Sequence, residues 1–174
     1  MVDMLFPPIL GGARAFEAAP SRERLSRPPI QAGRRWAALR TISANDTALW
    51  GLRGKAARLP VMHLRGVHAT RLRCYATGGY YRDGQTIDEL VREYAGYAEK
   101  GFTAAKLKVG LLSARDDATR LGAIRKALGD DMDILLDANG GWSDSNTAIS
   151  ALRRLEEHPP YWIEEPVRAD NVAA

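Results

Sequence analysis

Apolar positions in the second half of the chain follow two alternating rhythms. Short runs at Leu72 to Thr77, Ala104 to Val109, Asp133 to Leu136 and Tyr161 to Glu164 alternate or are apolar throughout, as strands do. Between them, 87 to 100, 113 to 128 and 145 to 157 place apolar residues at helical spacing. Thr86 followed by Glu89 makes a capping box for the first helix, and Gly101 and Gly129 stop the first and second. The predicted order is β-α-β-α-β-α-β. Such alternation, with strands apolar on both faces, predicts a parallel sheet covered by helices. An open doubly wound sheet and part of a (β/α)8 barrel both satisfy it. No glycine-rich phosphate loop follows the first strand, which counts against dinucleotide binding. Polar residues gather at successive strand ends, so the expected fold is α/β, a partial (β/α)8 barrel of about four βα units.

The front half has a different texture. Residues 1 to 33 are broken by Pro7-Pro8, Gly11-Gly12 and Pro28-Pro29, so little regular structure is expected there beyond a short helix near Ala13 to Ala19. Trp36, Leu39, Ile42, Ala48, Leu49 and Leu52 recur at roughly helical intervals and predict a helix from Arg35 to Ala57. It ends before Leu59-Pro60, because the residue preceding proline is pushed out of the helical region. Val61 to Gly66 reads as a helical turn. This divides the chain into a helical part, 1–70, and a βα part, 71–174.

Composition narrows the class. With 45% apolar and 26% charged residues, the chain is a soluble globular protein. Its apolar runs fall far short of the ~18 residues of a membrane span, and Met1 to Pro8 lacks the basic segment of an export signal. The single cysteine, Cys74, forms no internal disulfide and suits a reducing cytoplasm, the expected location; within a strand it reads as a small core residue. The net charge of +4 conceals +9 over residues 1 to 73 and −5 over residues 74 to 174. The arginines of the basic part are scattered, with few aromatics among them. That favours a solvated or partner-facing surface over a nucleic-acid footprint. Neither nucleic acid nor membrane is expected as a partner.

The candidate chemistry lies at the strand ends. Lys106 and Lys108 lie in the second run; Asp137 follows Lys108 by 29 residues and Glu164 follows Asp137 by 27. Side chains two apart on a strand point the same way, so the lysines project together while Leu107 faces the helices. Two ammonium groups roughly 6 to 7 Å apart disfavour each other's charge, and burial acts in the same direction. One amine free near neutral pH is therefore expected, which is what a general base requires. Removing a proton beside a carboxylate builds charge on the substrate oxygens, and a hard dication held by carboxylates stabilises it. His63, His68 and His158 show no ligand spacing, and Trp36, Trp50, Trp142 and Trp162 read as packing anchors.

Lys106-Leu107-Lys108-Val109-Gly110, Asp137-Ala138-Asn139 and Glu164-Glu165-Pro166, at these separations, resemble the mandelate racemase and muconate lactonizing enzyme family of the enolase superfamily. Ile42-Ser43-Ala44, Ala48-Leu49-Trp50, Gly54-Lys55-Ala56 and Leu59-Pro60-Val61 resemble the last helix of that family's α+β capping domain, and Tyr75 to Gly79 its first barrel strand. The resemblance implies that Lys108 takes the α-proton and Lys106 lowers its pKa. It implies Asp137 and Glu164 as two of three Mg2+ ligands, Asn139 in the substrate pocket and Glu165 behind the metal. It also implies a sugar-acid dehydratase, since Glu-Glu-Pro leans toward that group.

The family's third metal ligand and its opposing acid or base lie on later strands, and the capping domain's antiparallel strands come earlier; none of these is in this sequence. The expectation is a truncated fragment, holding magnesium weakly or not at all and inactive alone. A racemase or cycloisomerase of the same superfamily is one alternative. A non-catalytic domain that oligomerises through open sheet edges is the other.

Overall fold

The computed structural model describes residues 35–171. The expected helix near Ala13 to Ala19 and the irregular stretch before Arg34 lie outside the described residues. Chain proximity divides the molecule into two compact units, Met1–Arg71 and Leu72–Ala174.

In the first unit, α1 spans Arg35–Ala57 and a single-turn α2 spans Val61–Leu64. The first helix closes where Arg58 turns left-handed (φ 54°) and Leu59 N donates to Gly54 O at 3.0 Å. A Cβ at Gly54 would lie 3.0 Å from Leu59 O, a tight approach at that closure. Ile42 is buried, but Leu52, on the expected apolar face, is 51% exposed. Trp50 carries the guanidinium groups of Arg53 and Arg65 at 4.8 and 5.2 Å from its ring, a cation–π arrangement.

The second unit holds β1 (Ala76–Gly78), α3 (Ile87–Glu99), β2 (Ala104–Lys108), α4 (Ala114–Leu128), β3 (Asp133–Asp137), α5 (Ser145–Leu155) and β4 (Ile163–Glu164). The four strands form one parallel sheet in the order β1-β2-β3-β4. Parallel neighbours need a crossover, and each helix supplies one. Caps set the helix starts. Thr86 and Glu89 form the capping box of α3, and Ser113 and Asp144 accept from Asp116 N and Thr147 N at the starts of α4 and α5.

The core lies between the sheet and these helices. Leu107, Ile134 and Leu136 meet Leu90 and Tyr94 of α3, Leu121 and Ile124 of α4, and Leu155 of α5, all essentially fully buried. Burying a side chain of this size contributes about 1.5–3 kcal/mol. Tyr94 satisfies its hydroxyl by donating to Lys106 O at 2.7 Å, so the core also holds the strand that carries the lysines.

Two strands are shorter than the apolar pattern predicts. Leu72 is 82% exposed and Cys74 is exposed, so Cys74 is not the core residue expected. The ladder begins at Ala76↔Ala105, and since β2 opens at Ala104, residues before Tyr75 have no strand beside them on that side. β4 is confined between Pro159-Pro160 and Pro166, which cannot donate to a ladder. Of the expected tryptophan anchors in this unit, Trp142 is buried and Trp162 is 41% exposed. The side chain of Trp36 lies outside the described residues.

Candidate active site

Register places the chemistry. Lys108 pairs across the sheet with Asp137, and Asp137 with Glu164, so the three residues form one row at the carboxyl ends of β2, β3 and β4. Alternation along β2 turns Lys106 and Lys108 to one face and Leu107 to the helices, where it is fully buried.

Lys108 Nζ donates to Asp137 Oδ2 at 2.7 Å and to Asn139 Oδ1 at 2.7 Å. Lys106 Nζ lies 3.0 Å from the same Asp137 oxygen and 3.1 Å from Glu164 Oε2. Asn139 N donates to Asp137 Oδ1 at 3.0 Å, which fills the second carboxylate oxygen, and Asn139 Nδ2 reaches Glu165 Oε2 at 3.4 Å. Asn139 and Glu165 both adopt left-handed backbone (φ 47° and 46°) just past their strands, and this turns their side chains back over the row. All six residues singled out from the sequence therefore meet at one end of the sheet. Asp137 is 2% exposed, whereas the Glu164 side chain is 39% exposed and opens the cluster to solvent.

The electrostatics hold Lys106 charged. Burial works against the charged form of Lys106, but its hydrogen bonds to Asp137 and Glu164 outweigh that, and its pKa is held above the ordinary lysine value. Burial likewise opposes the Asp137 carboxylate, yet hydrogen bonds from Lys108, Lys106 and the Asn139 amide hold it below the usual range.

Residues that the sequence did not flag complete the surroundings. The rings of Tyr75 and Tyr80 lie 5.9 and 5.4 Å from the Lys106 and Lys108 nitrogens. Behind Lys108, Asp117 and Arg120 of α4 are 1% and 6% exposed and paired at 3.1 Å. Tyr81 donates to Asp117 Oδ1 at 2.8 Å; burial first, then that hydrogen bond, pushes its pKa up to about 12. One signal was available: Asp117 and Arg120 share the helical face of Leu121 and Ile124, where a polar pair is out of place.

As a metal site, the donor chemistry suits a hard dication, which takes carboxylate oxygen and keeps several waters. Asp137 and Glu164 are adjacent and close on the same cation, Lys106 Nζ. Among the described residues, no three His, Cys, Asp or Glu side chains are grouped to hold a metal.

Residues 89–174 match the family model described as enolase C-terminal domain-like. The chain is 37% identical over 148 residues to arabinonate dehydratase of Saccharolobus solfataricus, covering 85% of this chain and 39% of that protein. It is 38% identical over 140 residues to L-talarate/galactarate dehydratase of Salmonella typhimurium, covering 80% and 35% respectively. Among solved structures, a racemase from Streptomyces coelicolor A3(2) with bound magnesium superposes with a TM-score of 0.86 at 34% identity, over 98% of this chain and 47% of that one. The chain thus spans less than half the length of the relatives it matches. No helix among the described residues is long and apolar enough to cross a membrane. The strand-end row, its parallel sheet and these matches place the chain in the mandelate racemase and muconate lactonizing enzyme family of the enolase superfamily.

Proposed function

We propose that this chain carries the base and two metal-binding carboxylates of a magnesium-dependent lyase that dehydrates a sugar acid. One observation supports this above the rest: Lys108, Asp137 and Glu164 share one register row, with both lysine amines on a single Asp137 oxygen. In this reading Asp137 and Glu164 would hold Mg2+, which would supply charge stabilisation at a substrate carboxylate. The helical segment from Arg35 belongs to a capping domain, and residues from Leu72 on belong to the barrel.

The chain's own residues do the rest. Lys108, whose side chain is 14% exposed, takes the proton from the carbon beside the carboxylate. The Lys108 ammonium so formed returns that proton to the β-hydroxyl, which departs as water and leaves an enol that tautomerises to a 2-keto-3-deoxy acid. Lys106 keeps a positive charge beside the carboxylates. Asn139 steers the Lys108 amine, and Glu165 holds Asn139.

The test is a panel of aldonic and aldaric acids, incubated with magnesium and either the full-length protein or this chain complemented with the later barrel strands of a relative. Formation of a 2-keto-3-deoxy acid from at least one is expected. Inversion at the α-carbon without loss of water, or ring opening of a lactone, would replace the dehydratase reading with a racemase or cycloisomerase.

A further inference from the structure

Where the β1–β2 ladder ends, at Gly78↔Leu107, a side chain continues it. The Arg120 guanidinium donates from one nitrogen to Lys108 O at 2.8 Å and from the other to Gly79 O at 2.6 Å. It thereby joins two strand ends that no longer bond each other through backbone. Asp117, paired with that guanidinium, accepts from Gly110 N at 2.8 Å, two residues beyond Lys108. Tyr81 covers the assembly: its ring lies 4.2 Å from the guanidinium carbon, and its hydroxyl bonds Asp117 and accepts from Leu111 N at 3.3 Å. On the opposite side, Val109 N donates to Asp137 O at 3.0 Å.

We infer that Arg120 is a positioning residue for Lys108, its guanidinium bracing the strand end from which the Lys108 amine projects. The inference rests on the assignment of Lys108 as the base. Arginine suits the task because its rigid planar fork reaches two carbonyls and a carboxylate at once, which a lysine ammonium on a flexible stem does not match. Asp117 holds the fork in place and anchors the loop that follows. A surface ion pair on α4 has no need of burial or of carbonyls 12 and 41 residues away. A shift of about 1 Å in a reacting group is enough to lower a rate about a hundredfold, so a brace of this kind acts on turnover more than on substrate affinity.

The experiment compares wild type, Arg120→Lys and Tyr81→Phe in two measurements. The first is amide hydrogen exchange, residue by residue. Arg120→Lys is expected to lose at least tenfold protection at Val109 and Gly110 while Leu135 and Leu136 in β3 keep theirs. Tyr81→Phe, which leaves the arginine's bonds intact, is expected to loosen Leu111 alone. The second is α-proton exchange in the full-length protein: Arg120→Lys should lower kcat tenfold or more with KM within about twofold. Uniform loss of protection across the sheet, unchanged protection at Val109, or a change confined to KM would each overturn the inference. A wild type inert toward every acid tested overturns the proposed reaction instead, and the exchange pattern then decides the brace by itself.

Discussion

Lys106 answers to two carboxylates at once, and this decides its charge. Its amine lies within 3.1 Å of both Asp137 and Glu164, and its pKa is raised despite burial. Replacing it with methionine removes one of the two ammonium groups that stabilise an almost fully buried Asp137. The expected result is a loss of about 1–3 kcal/mol in urea unfolding at neutral pH, the range for removing a partner from a buried charged group, and an upward shift of the Asp137 pKa measured by carbon NMR. Unchanged stability and titration would mean that Lys108 and the Asn139 amide suffice. The sequence made both lysines and both acids legible, because strand alternation and strand-end position suffice to find them. It did not make their charges legible. The carboxylates that hold Lys106 charged against its burial arrive from 31 and 58 residues away. Arg120 was illegible for the same reason, since its carbonyl partners are set by the fold.

Among the elements, helix starts were read well and strand lengths poorly. The Thr86–Glu89 box is complete, with Glu89 N donating to Thr86 Oγ1 at 3.2 Å and Thr86 N donating to Glu89 Oε2 at 2.8 Å. Thr86→Ala is expected to cost about 1 kcal/mol of stability, visible as a lower denaturation midpoint; a cost near zero would show that packing of Leu90 and Tyr94 alone fixes the start of α3. At the start of α5, Asp144 is held at a pKa of about 2 by Ser143 and by the Thr147 amide and hydroxyl. A carboxylate depressed on folding adds stability that is complete above its unfolded value of about 4 and disappears as pH falls through about 2. Asp144→Asn keeps an oxygen acceptor but no charge, so its denaturation midpoint should change less than wild type between pH 5 and pH 2. Parallel pH curves for the two proteins would refute this. Strand β1 was overestimated because Leu72-Arg73-Cys74 alternates as a strand does, yet pairing requires a neighbour. Residue patterns do not encode where the neighbour starts.

At the scale of the molecule, the described sheet has β1 and β4 as unpaired edges, and parallel strands with open edges tend to recruit other chains. This chain expressed by itself should therefore self-associate in sedimentation, while a monodisperse, cooperatively melting monomer would contradict that. The architecture was legible because β-α alternation leaves few topologies, and the barrel because polar residues collected at one end of it. In the proposed reaction Lys108 removes a proton from the carbon beside a carboxylate. Its most direct test is incorporation of solvent deuterium at that carbon of a sugar acid by the full-length protein with magnesium, comparing wild type with Lys108→Ala. Incorporation that disappears in the variant, whose fold is intact by circular dichroism, is the predicted result; incorporation that persists undiminished would contradict the account.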